Sequence, residues 1–379
     1  MKIIHILCHT IPLKRYFVFD GWPARNARAI NKYSSAYKHE CWYAIRDIKK
    51  PMVWYKDNIK FRLFPAWTLN TYLESFLGIV VSKSLIKALK KETKSKRIVI
   101  HIQGERGLLV WQVINVAKGI PIFLQFHGYS TPDFLLLFER LLITPFERYF
   151  FSFVDYFFVH FKCRIKYLIE KCQVSETKIY NQNLGVDYNL FKPLNKIQAR
   201  KKLGLPLDKN IIFYLGIFNR TKGVNKIVEA HLKVKKKYNT FLILIGGSKT
   251  DEYYDYCLKN ADLVIERLPH TVLPEYFSAV DIYCMVCPKY KAKYGGFGVA
   301  SMESLACNVP VLSSNLFEAP DEIVSKIGFV VNSESELIDK ITYLLQNKDK
   351  FKQLRRISCP HFSWEVIAKN IIRLYQKFE

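Results

Sequence analysis

Residues 294–314 read YGGFGVASMESLACNVPVLSS. Gly295, Gly296, Phe297 and Gly298 form a glycine-rich turn ahead of a helix-period stretch that carries one carboxylate, Glu303. The apolar run VPVLSS that follows has strand character. A turn of this kind lets the backbone approach a ligand with bare N–H groups, and the helix dipole behind it favours an anion such as a diphosphate. Helical side chains lean back toward the N-terminus, so the Glu303 carboxylate is expected near the same ligand, accepting hydrogen bonds from paired sugar hydroxyls. Asn308 suits the end of the helix because Asn tolerates the left-handed conformation. An isolated GGFG is also compatible with an ordinary tight turn and a surface Glu, so the rest of the chain has to decide.

Working outward, short runs rich in Ile, Val, Phe and Tyr alternate with helix-period segments from end to end. KIIHILC, HECWYAI, RIVIHIQ, PIFLQFH and YFFVHF read as strands of a first half; IIFYLGIF, TFLILIG, DLVIERL, DIYCMV, VPVLSS and IGFVV read as strands of a second. This is the pattern of α/β domains with parallel sheets covered by helices. The stretch LGVDYNLFKPLNKIQARKKLGLPLDKN, rich in turn residues, is the boundary candidate. The expected divisions are a domain over 1–188, a second over 189–360, and a closing helix over 361–379 that packs back on the first domain. In that helix Ser363 is the cap and Val366, Ile367, Ile371, Leu374 and Tyr375 form the apolar stripe. Ligands of open parallel sheets bind beyond the carboxyl ends of the strands, which directs attention to the loops there.

The 379 residues carry a formal net charge of +25, which predicts attraction to something anionic. The basic residues are dispersed and no nucleic-acid signature accompanies them, so nucleic acid is not expected as a partner, whereas an anionic membrane surface and nucleotide diphosphates are. No apolar run reaches the roughly 18 residues of a membrane span, and a cytoplasmic address, peripheral at the inner membrane face, is expected. Nine scattered cysteines suit reduced thiols. Cys284 and Cys287 form a CxxC, but on a strand they point to opposite faces, and no metal site is expected. The aromatic stretch 134–161 is interrupted by Glu139, Arg140, Glu147, Arg148 and Asp155, and reads as a buried helix and then a buried strand, with an interfacial membrane helix as the alternative.

Two further loops carry chemistry. After IIFYLGIF come Asn219, Arg220, Thr221, Lys222 and Gly223, where Arg220 or Lys222 can neutralise a leaving diphosphate. In the first half, His127 follows the strand PIFLQF directly, placed to donate to a sugar oxygen or shuttle a proton; His101 has a similar strand-end position, so position alone does not choose between a site and a local network.

Together the pieces resemble the retaining glycosyltransferases of family 4 (glycosyl transferases group 1), which have the GT-B fold of two Rossmann-like domains facing across a cleft. The resemblance spans nearly the whole chain: MKIIHI, HGYS, NLGVDYNLFKP, LGIFNRTKG, GGFGVASMESLACNVPV and a closing FSWE occur in the family's order. It implies sugar transfer from a nucleotide diphosphate sugar to a glycan or lipid-linked acceptor hydroxyl with retention, in polysaccharide or glycolipid assembly, with no cofactor beyond the donor. The position of Lys222 implies contact with donor phosphates, that of Glu303 with the nucleotide ribose, and that of His127 with the transferred sugar, making these three the catalytic candidates. Gly216, Arg220, Gly295, Gly296, Phe297 and Gly298 join Lys222 and Glu303 as the donor-binding set. No DxD pair occurs, which fits a metal-independent reaction. Two departures stand out: Gly295 occupies the place of a first glutamate that usually precedes Glu303, and Ile217 stands where an Arg is common, with Arg220 close by as a replacement. The first departure supports an alternative reading, a catalytically impaired GT-B nucleotide-binding or scaffold subunit of a membrane-associated complex.

Overall fold

Ile- and Val-rich runs have no polar face to offer water, so they form strands covered on both sides. In the computed structural model, which describes residues 1–68, 78–95, 97–126, 139–159, 162–182, 185–287, 298–315 and 319–379, these runs build two sheets in two units. The first unit comprises Met1–Gln182 with Ile367–Glu379, and the second Asn183–Val366.

Strands of the first unit are β1 (Lys2–Ile11), β2 (Lys38–Ile45), β3 (Met52–Lys56), β4 (Ile59–Pro65), β5 (Trp67–Thr68), β6 (Val80–Val81), β7 (Ile98–Gln103), β8 (Ile122–Gln125), β9 (Tyr156–Val159) and β10 (Ile179–Asn181). Eight of them form one sheet in the order β10-β9-β8-β7-β1-β2-β4-β3, parallel except for β3 against β4; β5 and β6 make a separate antiparallel pair. The hairpin β3–β4 is absent from the strands expected above. Its signal is Asp57-Asn58, both left-handed at φ 54° and 60°, the two-residue turn whose twist matches a hairpin.

The second unit holds β11 (Asn210–Leu215), β12 (Thr240–Gly247), β13 (Leu263–Glu266), β14 (Ile282–Met285), β15 (Val311–Ser313) and β16 (Gly328–Val330), all parallel, in the order β13-β12-β11-β14-β15-β16. The order reverses between β11 and β14, so the helices leaving these two strands lie on opposite faces and open a crevice at their carboxyl ends. Gly185 lies against Trp364 so closely that a β-carbon would be 2.2 Å from the indole, and Trp364 N–H donates to Val186 O at 3.1 Å. The motifs NLGVD and FSWE are therefore one packing unit.

Ser363 caps the helix Trp364–Tyr375, accepting from Val366 N–H at 3.3 Å. Ile367, Ala368, Ile371, Leu374 and Tyr375 are buried and Val366 half-buried, close to the expected stripe. The expectation of a buried helix within 134–161 needs correction. Residues 134–138 lie outside the described residues. The helix Thr144–Phe151, entered by a π-helical turn at Glu139–Ile143, buries Ile143, Thr144, Glu147 and Phe151 but exposes Leu141, Leu142, Phe146 and Tyr149. The physical reason is an ion pair: Arg106 Nε meets Glu147 Oε1 at 2.9 Å, both side chains buried, which commits the Glu147 face of the helix to the interior. The strand β9 is buried at Phe157, Phe158 and Val159, as expected.

Across the sheet of the first unit, three histidines on adjacent strands are buried. His5 pairs in register with His101, their rings 5.2 Å apart, and His5 Nε2 is 2.9 Å from His39 Nδ1. Tyr375 Oη sits 2.6 Å from His101 Nδ1, so the last helix docks onto this row. Burial holds all three imidazoles neutral, lowering His39 to about 4, His101 to about 3 and His5 well below its usual range. Their folded pKa values lie below the unfolded value, so the unfolded chain binds more protons between the two and the stability they permit is lost as pH falls below about 6.5. Unfolding free energies from urea titrations between pH 7 and 5.5 are expected to fall, by up to roughly 1.4 kcal/mol per pH unit per histidine, and the dependence is expected to flatten in His39→Leu; a pH-independent free energy over that range would contradict the neutral row.

Candidate active site

The loop leaving β11 starts at Gly216, whose N–H donates to Ile245 O at 2.9 Å and whose missing β-carbon would stand 2.8 Å from the Tyr214 hydroxyl. Tyr214 in turn donates to Ile217 O at 2.8 Å, and Asp251 accepts from Phe218 N–H at 2.9 Å and Ser248 N–H at 3.1 Å. These bonds spread over residues 214–218 hold the loop before its cations. Asn219 then caps a 3-10 turn, Arg220–Lys222, by accepting from Lys222 N–H at 3.1 Å. Neither Arg220, which is exposed, nor Lys222, which is half-buried, has an ion-pair partner among the described residues. Unpaired cations at the switch point of a parallel sheet are the chemistry a diphosphate requires.

Gly223 ends the turn in the left-handed conformation at φ 65°, and a β-carbon there would lie 1.8 Å from Val286 O. The helix Val224–Val234 thus starts directly against the chain leaving β14. That chain runs into residues 288–297, so Gly295, Gly296 and Phe297 lie outside the described residues, as does His127 of the first unit, which follows β8. On the far side of residues 288–297, Gly298 is the N-cap of the helix Val299–Ala306, with no side-chain cap and, chain neighbours aside, no atom of the described residues within 4 Å of the place its β-carbon would take. Its φ of −117° is ordinary extended backbone, so this glycine is not required by the fold at that point.

Glu303 is 3% exposed, and its Oε1 meets His270 Nε2 at 2.6 Å. His270 lies in the 3-10 turn His270–Val272, in the connection after β13, with its ring centroid 5.0 Å from that of Phe191. Sequence reasoning placed Glu303 facing ligand hydroxyls and missed this partner. The available signal was another histidine in a post-strand loop of the second half. One carboxylate oxygen is therefore engaged by the imidazole, and the group is held in place rather than free to swing. At the other end of the helix Asn308 adopts φ 62°, as its residue type suggested, and its Oδ1 accepts from Arg355 N–H at 2.8 Å. The Arg355 guanidinium donates to Tyr188 O, Phe191 O and Ala306 O, tying the end of the Glu303 helix to the segment that supports His270.

Gly216, Arg220 and Lys222 thus share one loop, Gly298 and Glu303 one helix, and the Gly223–Val286 approach joins the first to the chain that leads toward the second. All nine cysteines carry free thiols. No cluster of three or more metal-ligating side chains occurs among the described residues.

Residues 195–358 match the family described as glycosyl transferases group 1. A relative, the capsular polysaccharide biosynthesis glycosyltransferase CapM of Staphylococcus aureus, is 25% identical over 212 residues, 52% of this chain and 54% of that protein. The chain spans about half the length of the curated relatives it matches. Among solved structures, sucrose-phosphate synthase from Thermosynechococcus elongatus superposes with a TM-score of 0.67 at 17% identity, covering 100% of this chain and 99% of that one. Anabaena HepE in complex with UDP gives 0.68 at 14% identity, covering 100% of both chains. The fold is GT-B.

The two glycines flanking the site are expected to respond differently to a methyl group. Gly223→Ala combines positive φ with a clash against backbone and is expected to lower the unfolding free energy by about 2 kcal/mol or more, whereas Gly298→Ala is expected to leave it within about 0.5 kcal/mol. Urea denaturation of both variants checks this, and equal stabilities would contradict the close approach at Val286.

Proposed function

We infer that this protein, whose residues 195–358 belong to the glycosyl transferases group 1 family, moves a sugar from a nucleotide diphosphate sugar to an acceptor hydroxyl, with retention and without a metal ion. The observation that carries the reading is the pair of cations without an ion-pair partner among the described residues, Arg220 and Lys222, at the carboxyl ends of the strands where the sheet order reverses, in the same unit as the uncapped helix start at Gly298 and the anchored carboxylate of Glu303. The donor diphosphate would be bound by Lys222 and Arg220 and by the first N–H groups of the helix Val299–Ala306, groups fixed before the reaction that gain strength as charge develops on the leaving phosphate. Glu303 would hold the ribose hydroxyls with the carboxylate oxygen that His270 does not engage. His127 would lie by the transferred sugar, as the family resemblance implies. Front-face attack, with the leaving phosphate accepting the proton of the acceptor, requires no side-chain nucleophile and fits a residue set in which none is evident. Absence of a DxD pair from the sequence supports the metal-independent form. A polysaccharide or lipid-linked glycan is the acceptor class proposed, the former in keeping with the capsular polysaccharide relative.

Gly295 favours a second reading, in which the site binds nucleotide and supports an active partner without transferring sugar, because the first carboxylate of the family pattern is absent. Binding and transfer separate the two.

Uridine diphosphate and UDP-glucose are the first ligands to test, since HepE is solved with both, followed by GDP, ADP, CDP and their sugar conjugates. At a hundredfold excess over its dissociation constant, the true nucleotide is expected to add about 2.7 kcal/mol, a rise of several degrees in Tm. Lys222→Ala and Glu303→Ala are each expected to weaken binding tenfold or more, roughly 1.4 kcal/mol. No stabilisation by any nucleotide would refute both readings, and binding without transfer to pooled acceptors would leave the second. Transfer is expected to survive EDTA and to give a product whose anomeric configuration, read by NMR, matches the donor; inversion or loss on chelation would refute the mechanism.

A further inference from the structure

The helix Thr144–Phe151 of the first unit and the π-helical turn before it expose apolar side chains. The interior face carries Ile143, Thr144, Phe151 and the Arg106-paired Glu147, while Leu142, Phe146 and Tyr149, at i, i+4 and i+7, form an apolar stripe directed at solvent. Leu141, Leu142, Phe146 and Tyr149 are each more than half exposed. Scattered exposed apolar residues need no explanation, but four within residues 141–149, across the π-helical turn and the helix whose own carboxylate, Glu147, faces inward, do.

The patch is backed by rigid aromatic packing. Trp111 stacks on Phe146 with centroids 5.4 Å apart and on Phe150 at 5.9 Å, and Tyr149 meets Phe153 edge-on at 5.4 Å. Cations stand at its rim. Lys118 Nζ is 4.2 Å from the Phe153 centroid and 3.1 Å from Tyr149 Oη, and Arg148 is exposed with its guanidinium on Lys171 O at 2.9 Å. Aromatic and aliphatic side chains bordered by Lys and Arg match the boundary between acyl chains and headgroups. No helix among the described residues is long and apolar enough to cross a membrane, so this face can lie on a bilayer but not span it.

We propose that the face formed by Leu141, Leu142, Phe146 and Tyr149, with Lys118 and Arg148 at its rim, docks on a bilayer rich in anionic phospholipid. Charge selects this occupant over a second copy of the chain. At a formal net charge of +25 two copies repel, whereas an anionic leaflet attracts the same surface. The inference is independent of the sugar-transfer reading, because nothing in it uses the second unit.

Flotation of the full chain tests it, with vesicles of phosphatidylglycerol and phosphatidylcholine compared with phosphatidylcholine alone at about 0.1 M salt. The wild type is expected to float with the anionic vesicles only, and to be released several-fold by raising the salt. Phe146→Ser with Tyr149→Ser is expected to lower the bound fraction tenfold or more at an unchanged Tm; Lys118→Glu with Arg148→Glu is expected to do the same. Leu142→Ser provides the same readout in a single substitution if the double variant unfolds. Three results would overturn the proposal: no flotation with anionic vesicles, flotation of the apolar variants at the wild-type level, or a concentration-dependent dimer in light scattering that the apolar substitutions abolish.

Discussion

The backbone of Gly223 rests on the carbonyl of Val286, and the candidate donor site depends on that approach. Two parallel strands, β11 and β14, lie side by side where the sheet order reverses, and only their departing loops can reach a ligand at that edge. A residue with a β-carbon at 223 would force those loops apart, because the obstacle is main chain rather than the end of a flexible side chain. The left-handed turn also aims the preceding Arg220–Lys222 segment, with Asn219 locking the Lys222 amide. Position, conformation and charge in this loop follow from one glycine and one asparagine.

The carboxylate side is held by different physics. Glu303 is nearly buried, and a buried carboxylate without partners is costly, so His270 at 2.6 Å is as much a condition of its placement as the helix that carries it. Arg355 extends the same support by closing the carbonyl groups at the end of that helix and on the Tyr188–Phe191 segment. Phe191 meanwhile packs against the His270 ring. A shell reaching from residue 188 to residue 355 therefore fixes one side chain, which is what a site needs when its groups must not reorganise during a reaction.

In the first unit buried polarity decides the architecture twice. The row His39, His5 and His101 receives Tyr375 from the last helix, and the three rings stay neutral because the interior cannot solvate their charge. The Arg106–Glu147 pair draws Glu147 of the helix Thr144–Phe151 inward and leaves Phe146 and Tyr149 outside. An amphipathic reading based on composition assumes the opposite orientation, which explains why the stretch 134–161 was expected to be buried.

Alternating Ile- and Val-rich runs determined the α/β class and eleven of the strands, since hydrophobic periodicity is a local property. Asn308, Ser363 and the order of the motifs were equally legible, because caps and turns depend on residue type over a few positions. The short strands β5, β6 and β10 and the hairpin at Asp57-Asn58 escaped, the first three because they have only two or three residues and the hairpin because β3 is largely exposed. What only the tertiary structure decided was partnership across long separations. Glu303 with His270, Gly185 with Trp364, Gly223 with Val286 and Arg106 with Glu147 are joined by the packing of sheets and helices. The chain states which residues can be buried, charged or left-handed; which of them meet depends on the strand order and on the contacts that offset the cost of burying their polar groups.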